Sequence, residues 1–290
     1  MQAPLPRGLP VSLPYCDICF RKAHNDGISL AKEEHFVALF RTSNPALKPS
    51  AFESEGLVIG ERMTVSGTVN KTGILLICSV ATAAWTWNRF LNAADPESAI
   101  ASIGPLLALG AIGGFIVALV TIFKHAWSPI TAPIYALLEG LVLGGVSAMA
   151  ELRFPGVPIQ AVALTFGTLV MLLLVYRTGI IRVTDKFRLG VVAATGAIAL
   201  FYIVSMIMGF FGVRMFPSIA ASSPLSIGIS VVIVIVAALN LVLDFDFIER
   251  GAQASAPKYM EWYAAFGLMV TLIWLYLEIL RLLQKLRSRN

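Results

Sequence analysis

The chain has 290 residues, a length that by itself would suit one or two water-soluble domains. Yet 57% of it is hydrophobic and only 13% charged, against roughly 25% charged in a soluble domain, so much of its surface must face something other than water. That excludes a nucleic-acid binder, a disordered scaffold and an ordinary cytosolic enzyme, and it makes the net charge of +5 the mark of basic loops beside anionic lipid headgroups.

In chain order, residues 1–72 stand apart. They hold 15 of the 39 charged residues in a quarter of the length, and no stretch among them could cross a bilayer. They are expected to form a cytosolic N-terminal arm, poorly ordered over 1–40. Pro4, Pro6, Pro10 and Pro14 interrupt any secretory signal. Cys16, Cys19 and Cys78 cannot make a disulfide framework. Cys16 and Cys19 with His24 and His35 superficially resemble a zinc site, but the histidine spacing fits no common finger. The segment 41–52 has two prolines and an Asn-Pro step, and MTVSGTVNKTG (63–73) leads into the first apolar run.

Residues 73–290 read as an all-α, seven-helix integral membrane domain. A span needs about 20 apolar residues to cross a ~30 Å hydrocarbon core. Seven blocks meet this: 73–91, 101–123, 129–150, 157–176, 189–211, 225–248 and 261–283. Backbone polar groups in lipid must be satisfied within the segment, which selects helices. Trp85, Trp87, Trp127, Trp262 and Tyr263 lie near block ends, as an interfacial belt requires. Gly110 with Gly114 and Gly140 with Gly144 provide close helix approach. With the N-terminus inside, the cytoplasmic side collects Lys71, Lys124, Arg177, Arg182, Lys186, Arg188, Arg250 and Lys258, and the opposite loops hold Arg89, Arg153 and Arg214. The positive-inside rule therefore favours a cytoplasmic N-terminus, although the tail with Arg281, Lys285, Arg287 and Arg289 opposes it.

Ionisable groups within spans are the candidate site. An ionised side chain at the bilayer centre costs at least ~2.5–3.5 kcal/mol, so such a residue invites a functional reading. Glu139 lies in the middle of the third span, Asp244 and Asp246 late in the sixth, and Glu278 in the seventh. Asn240 precedes Asp244 by one turn. Asp246 has Arg250 at i+4 and Glu278 has Arg281 at i+3, so both invite ion pairs; Asp244 has no cation three or four residues away. If the last two helices are neighbours, Asp244 and Glu278 could meet. Two facing carboxylates in low dielectric would share one proton, which makes a pH-sensitive latch. They are also hard oxygen ligands of the kind calcium takes. No Walker A, HExxH or GxSxG pattern occurs, and no enzyme or cofactor is expected.

Five stretches, SNPAL (43–47), MTVSGTVNKTG (63–73), WSPITAPIYALLEGLVLGG (127–145), DFDFIERG (244–251) and LYLEILRLL (275–283), resemble the Bax inhibitor-like superfamily of seven-helix membrane proteins, bacterial YccA-type branch. The resemblance covers most of 41–290 and implies a bacterial inner-membrane location. It further implies a calcium leak gated by two acids, one late in the sixth helix and one in the seventh. Asp244 takes the first place and Glu278 the second, with glutamate for aspartate and a longer connection between them. Other relatives are thought to act without conducting, by binding partners such as a membrane protease and opposing stress or cell death. A single-cysteine chain carrying Arg182→Cys should stay unlabelled by a membrane-impermeant thiol reagent applied outside intact cells; labelling would reverse the orientation.

Overall fold

The computed structural model describes residues 62–93, 95–181, 183–211 and 223–289. The arm over 1–40, the Cys16, Cys19, His24 and His35 group, and the loop cations Arg182 and Arg214 lie outside the described residues. Among the described residues there are seven long helices: α1 (Val65–Leu91), α2 (Pro96–Phe123), α3 (Ser128–Arg153), α4 (Val157–Arg177), α5 (Asp185–Phe210), α6 (Pro224–Gln253) and α7 (Met260–Arg289). All seven are long and apolar enough to cross a membrane.

Local chemistry sets the helix ends. Thr64 Oγ1 accepts from Gly67 N–H at 2.9 Å to start α1, and Ser223 Oγ accepts from Ser226 N–H at 3.2 Å to start α6. Asp95 and Ser98 form a reciprocal capping box at α2. The Ser98 backbone N–H holds the Asp95 carboxyl below its ordinary range. That cap is in place above the usual carboxylate range and is lost as pH falls through the lowered value. The first helix starts eight residues earlier than the apolar run at Gly73 suggests: 65–72 form its first two turns. Hydropathy misses them because they carry polar side chains, of which Thr68 and Thr72 are buried and Lys71 meets Glu261.

The last helix is the most buried of the seven, and it packs against α1, α3, α4 and α6. Around it Leu241, Phe245, Met260, Tyr263, Leu268, Leu272 and Leu275 belong to one apolar cluster. Tyr263 was expected in an interfacial belt. It is instead fully buried, with its ring edge-on to His125 at 4.8 Å, because α7 begins inside the bundle. Trp85 and Trp127 are exposed, as a belt requires.

Small residues let the helices close. A Cβ on Gly140 would collide with the Ser79 backbone and Thr82 Oγ1, and one on Gly144 with the Ala83 backbone, so α1 and α3 run parallel in near-backbone contact. Gly110 meets the Leu138 carbonyl across the antiparallel α2–α3 seam. By contrast, a Cβ on Gly167 would meet nothing within 4 Å. Gly140→Ala should therefore lower the thermal midpoint in detergent by the equivalent of about 1–3 kcal/mol from overpacking. Gly167→Ala should leave the midpoint unchanged or raise it slightly, by at most about 1 kcal/mol of helix propensity.

Candidate functional site

Asp244 sits on the inward face of α6. From Ser226 to Asp244 is eighteen residues, five turns at ~3.6 residues per turn, so Ser226, Ser230, Asn240 and Asp244 share one stripe. All four are buried, Asp244 with 0% exposure. The Asn240 side-chain amide donates to Thr195 Oγ1 of α5 at 2.8 Å and to the Val236 carbonyl at 2.8 Å. The carboxylate and amide predicted on one face are thus both inside the protein, one turn apart.

Glu278 is also buried, at 2% exposure. Its carboxylate is held by Arg281 Nη1 at 3.0 and 3.1 Å and by the Tyr202 hydroxyl, which donates at 2.8 Å from α5. Arg281 also donates to the Tyr202 oxygen at 2.6 Å and lies over its ring, 5.4 Å from the centroid. The structure does not bring Glu278 to Asp244. Lys285 Nζ donates to Ser230 Oγ at 2.7 Å and reaches the Ser226 carbonyl at 3.5 Å, which fixes the antiparallel register of α6 and α7. Asp244 lies about sixteen residues further along α6 than that contact, level with residue 269. Glu278 is nine residues beyond it, about 13 Å along the axis at ~1.5 Å per residue. The turn of α7 level with Asp244 carries Leu268, Met269 and Leu272 with one buried hydroxyl, Thr271, and no second carboxylate. The facing carboxyl pair expected from the resemblance is therefore replaced by two separate sites at two depths.

Asp246 forms the ion pair with Arg250 that the i+4 spacing predicted, at 2.9 Å. A second cation joins it: Arg188 Nη2 donates to Asp246 Oδ2 at 3.0 Å from the first turn of α5. Arg188 read as a loop charge in the sequence, yet it is only 4% exposed. Beside it the Tyr176 hydroxyl of α4 donates to Glu249 at 2.5 Å. Glu139 is half-buried and faces α2; a Cβ on Gly114 would lie 3.2 Å from its Oε1. It stands apart from the α6 and α7 acids. No three His, Cys, Asp or Glu side chains group to hold a metal among the described residues.

One charged centre escaped the sequence reading. Glu261, in the first turn of α7, has 0% exposure. Lys71 of α1 donates to its Oε2, and Thr64 donates to Oε1 through its backbone N–H at 2.8 Å and its hydroxyl at 2.9 Å. Lys258 stands 3.5 Å away. Gly67 lies against the carboxylate, where any Cβ would collide with it. This explains MTVSGTVNKTG: Thr64, Gly67 and Lys71 recur at three- and four-residue spacing and make one helix face shaped to a carboxylate. That spacing was the available signal. Met63 N–H adds a bond to the Ala256 carbonyl at 2.8 Å.

Seven apolar helices, small-residue seams and acids buried on spanning segments define an integral, multi-pass membrane protein. Within that class the chain belongs to the Bax inhibitor 1 like family, whose model matches residues 32–288. The match begins inside the expected 1–40 arm. Comparison with curated proteins and with solved structures returns no match.

Removing one partner of a buried ion pair leaves a stranded charge, at a cost of about 3–5 kcal/mol. Lys71→Met should therefore lower the detergent unfolding midpoint strongly, and Lys71→Met with Glu261→Gln should recover part of the loss. Equal midpoints for the single and double variants would show that the pair is not coupled.

Proposed function

We propose that the protein is a pH-sensitive cation leak channel of the bacterial inner membrane, with calcium as its main ion. The observation that carries this reading is Asp244, an acid with 0% exposure inside a spanning helix. A carboxylate retained at such a place works against bilayer energetics by at least ~2.5–3.5 kcal/mol, which favours a role in moving or sensing charge. Family membership supports the same reading. Asp244 is the pH-sensing group: with its proton the path is shut, and without it a cation is admitted. Glu278 is a second acidic station, neutralised by Arg281 in the state described here. Asp246 and Glu139 are supporting charges, the first a structural ion pair and the second a contact between α2 and α3. Calcium passes and does not reside, since six to eight oxygens are needed to keep it.

The alternative is a non-conducting membrane protein that modulates a membrane protease or a stress-response complex through contact. The separation of Asp244 from Glu278 favours it, because no shared-proton latch is assembled between them.

Calcium uptake into liposomes holding the purified chain distinguishes the two. Uptake should rise as pH increases between about 5 and 8, the range in which perturbed acids titrate. Asp244→Asn should make the rate independent of pH. A wild-type chain that passes no calcium anywhere in that range would replace the channel reading with the modulator reading.

A further inference from the structure

The fifth helix is bound unlike the others. It is the least buried span, and its principal neighbour is α6. Leu189, Leu200, Ile203, Met206 and Ile207 are all exposed on it. Its polar attachments to the bundle fall at Arg188, Thr195 and Tyr202, each seven residues after the last. Seven residues are nearly two turns, so the three share one stripe. Each meets a polar partner at a different depth: Arg188 with Asp246, Thr195 with Asn240, and Tyr202 with Glu278 and Arg281. Among the described residues, a lipid-facing helix is thereby fastened by polar contacts at three depths.

The groups on the far side of that seam form a line through the membrane. From the end of α7 inward they are Lys285 on Ser226 and Ser230, then Glu278 with Arg281, then Asn240, then Asp244. Among the described residues, the polar contacts elsewhere along α7 are isolated ones: Glu261 with Lys71 and Thr64 in its first turn, and Tyr276 with Ser147 of α3. Apart from these, α7 packs in the apolar cluster that includes Ala161, Leu272, Leu275 and Ile279. Along α1 the hydroxyls of Thr68, Thr72, Thr82 and Thr86 all bond to carbonyls of their own helix. An ion that sheds water needs oxygen ligands at successive depths, and the α5–α6–α7 seam offers them.

We propose that the cation path runs along this seam and opens when α5 parts from α6 and α7, with Asn240, Asp244 and Glu278 as its protein lining. This rests on the cation-leak reading above and deepens it by assigning the route and the moving element. Separation breaks Thr195–Asn240 and Tyr202–Glu278, releases the Asn240 amide to turn its oxygen to the path, removes one donor from the Glu278 carboxylate, and leaves the apolar contacts around α7 intact.

The test uses the full chain with Cys16, Cys19 and Cys78 replaced by alanine. Thr195→Cys with Asn240→Cys is oxidised to a disulfide after reconstitution, and calcium uptake is measured before oxidation, after it and after reduction. Uptake should fall at least tenfold on cross-linking and return on reduction. Unchanged uptake in a verified cross-linked sample overturns the proposal. Tyr202→Cys with Arg281→Cys, bridged by a short bismaleimide, serves where the first pair does not form, with the same two outcomes. A second readout needs no flux. Single Thr195→Cys and Tyr202→Cys chains should react with a water-borne methanethiosulfonate, whereas the lipid-facing Ile203→Cys should not. If no calcium passes but both seam cysteines react, the channel reading fails and the seam stands as an aqueous crevice. If neither reacts, the seam proposal fails whatever the flux.

Discussion

A carboxylate with no exposure at the start of the last helix organises this molecule. Glu261 cannot face lipid or lie unpaired in a protein interior, because desolvating an ion without a partner is prohibitive. Lys71 and Thr64 supply the partner, and Gly67 clears the space. The first span is thereby tied to the last, across nearly two hundred residues of sequence. Once Thr64 and Lys71 are fixed on Glu261, α7 has to enter the bundle beside α1. The Met63–Ala256 backbone bond then sets the angle at which the α6–α7 turn arrives.

From that junction the rest of the packing divides unevenly. The α1–α3 and α2–α3 seams are backbone-close, because Gly140, Gly144 and Gly110 remove the side chains that would hold the helices apart. Dispersion forces dominate such contacts in lipid, where no hydrophobic drive separates one apolar surface from another. The α5 side lacks this closeness. There polar contacts at Arg188, Thr195 and Tyr202 take over, and they are directional and few. A rigid half and a loosely fastened half in one bundle is a physical basis for movement. Asp244 and Glu278 lie on the loosely fastened side.

The separation of Asp244 from Glu278 follows from register. A helical hairpin pairs residues at equal distance from its turn, and the Lys285–Ser230 contact shows which residues those are. Glu278 is too far along α7 to reach Asp244. It finds its neutralising charge on its own helix at Arg281 and a hydroxyl on α5, while the turn level with Asp244 carries no second carboxylate. Any role for the two acids is therefore exercised in sequence along the membrane normal.

The number of spans, their approximate limits and the helical class are legible in the residues alone, because a bilayer imposes length and hydropathy on every crossing segment. So are the Asp246–Arg250 and Glu278–Arg281 pairs and the shared face of Asn240 and Asp244, since i+4 and i+3 spacings on a helix bring side chains together whatever the tertiary fold. Which helix lies at the centre, that Tyr263 is core, that Arg188 and Tyr202 complete sites on other helices, and that Glu261 is a buried ion all come from the packing of the helices. These depend on which faces of distant helices meet and in what register. Periodicity along one segment carries no information about the depth at which another segment will stand beside it.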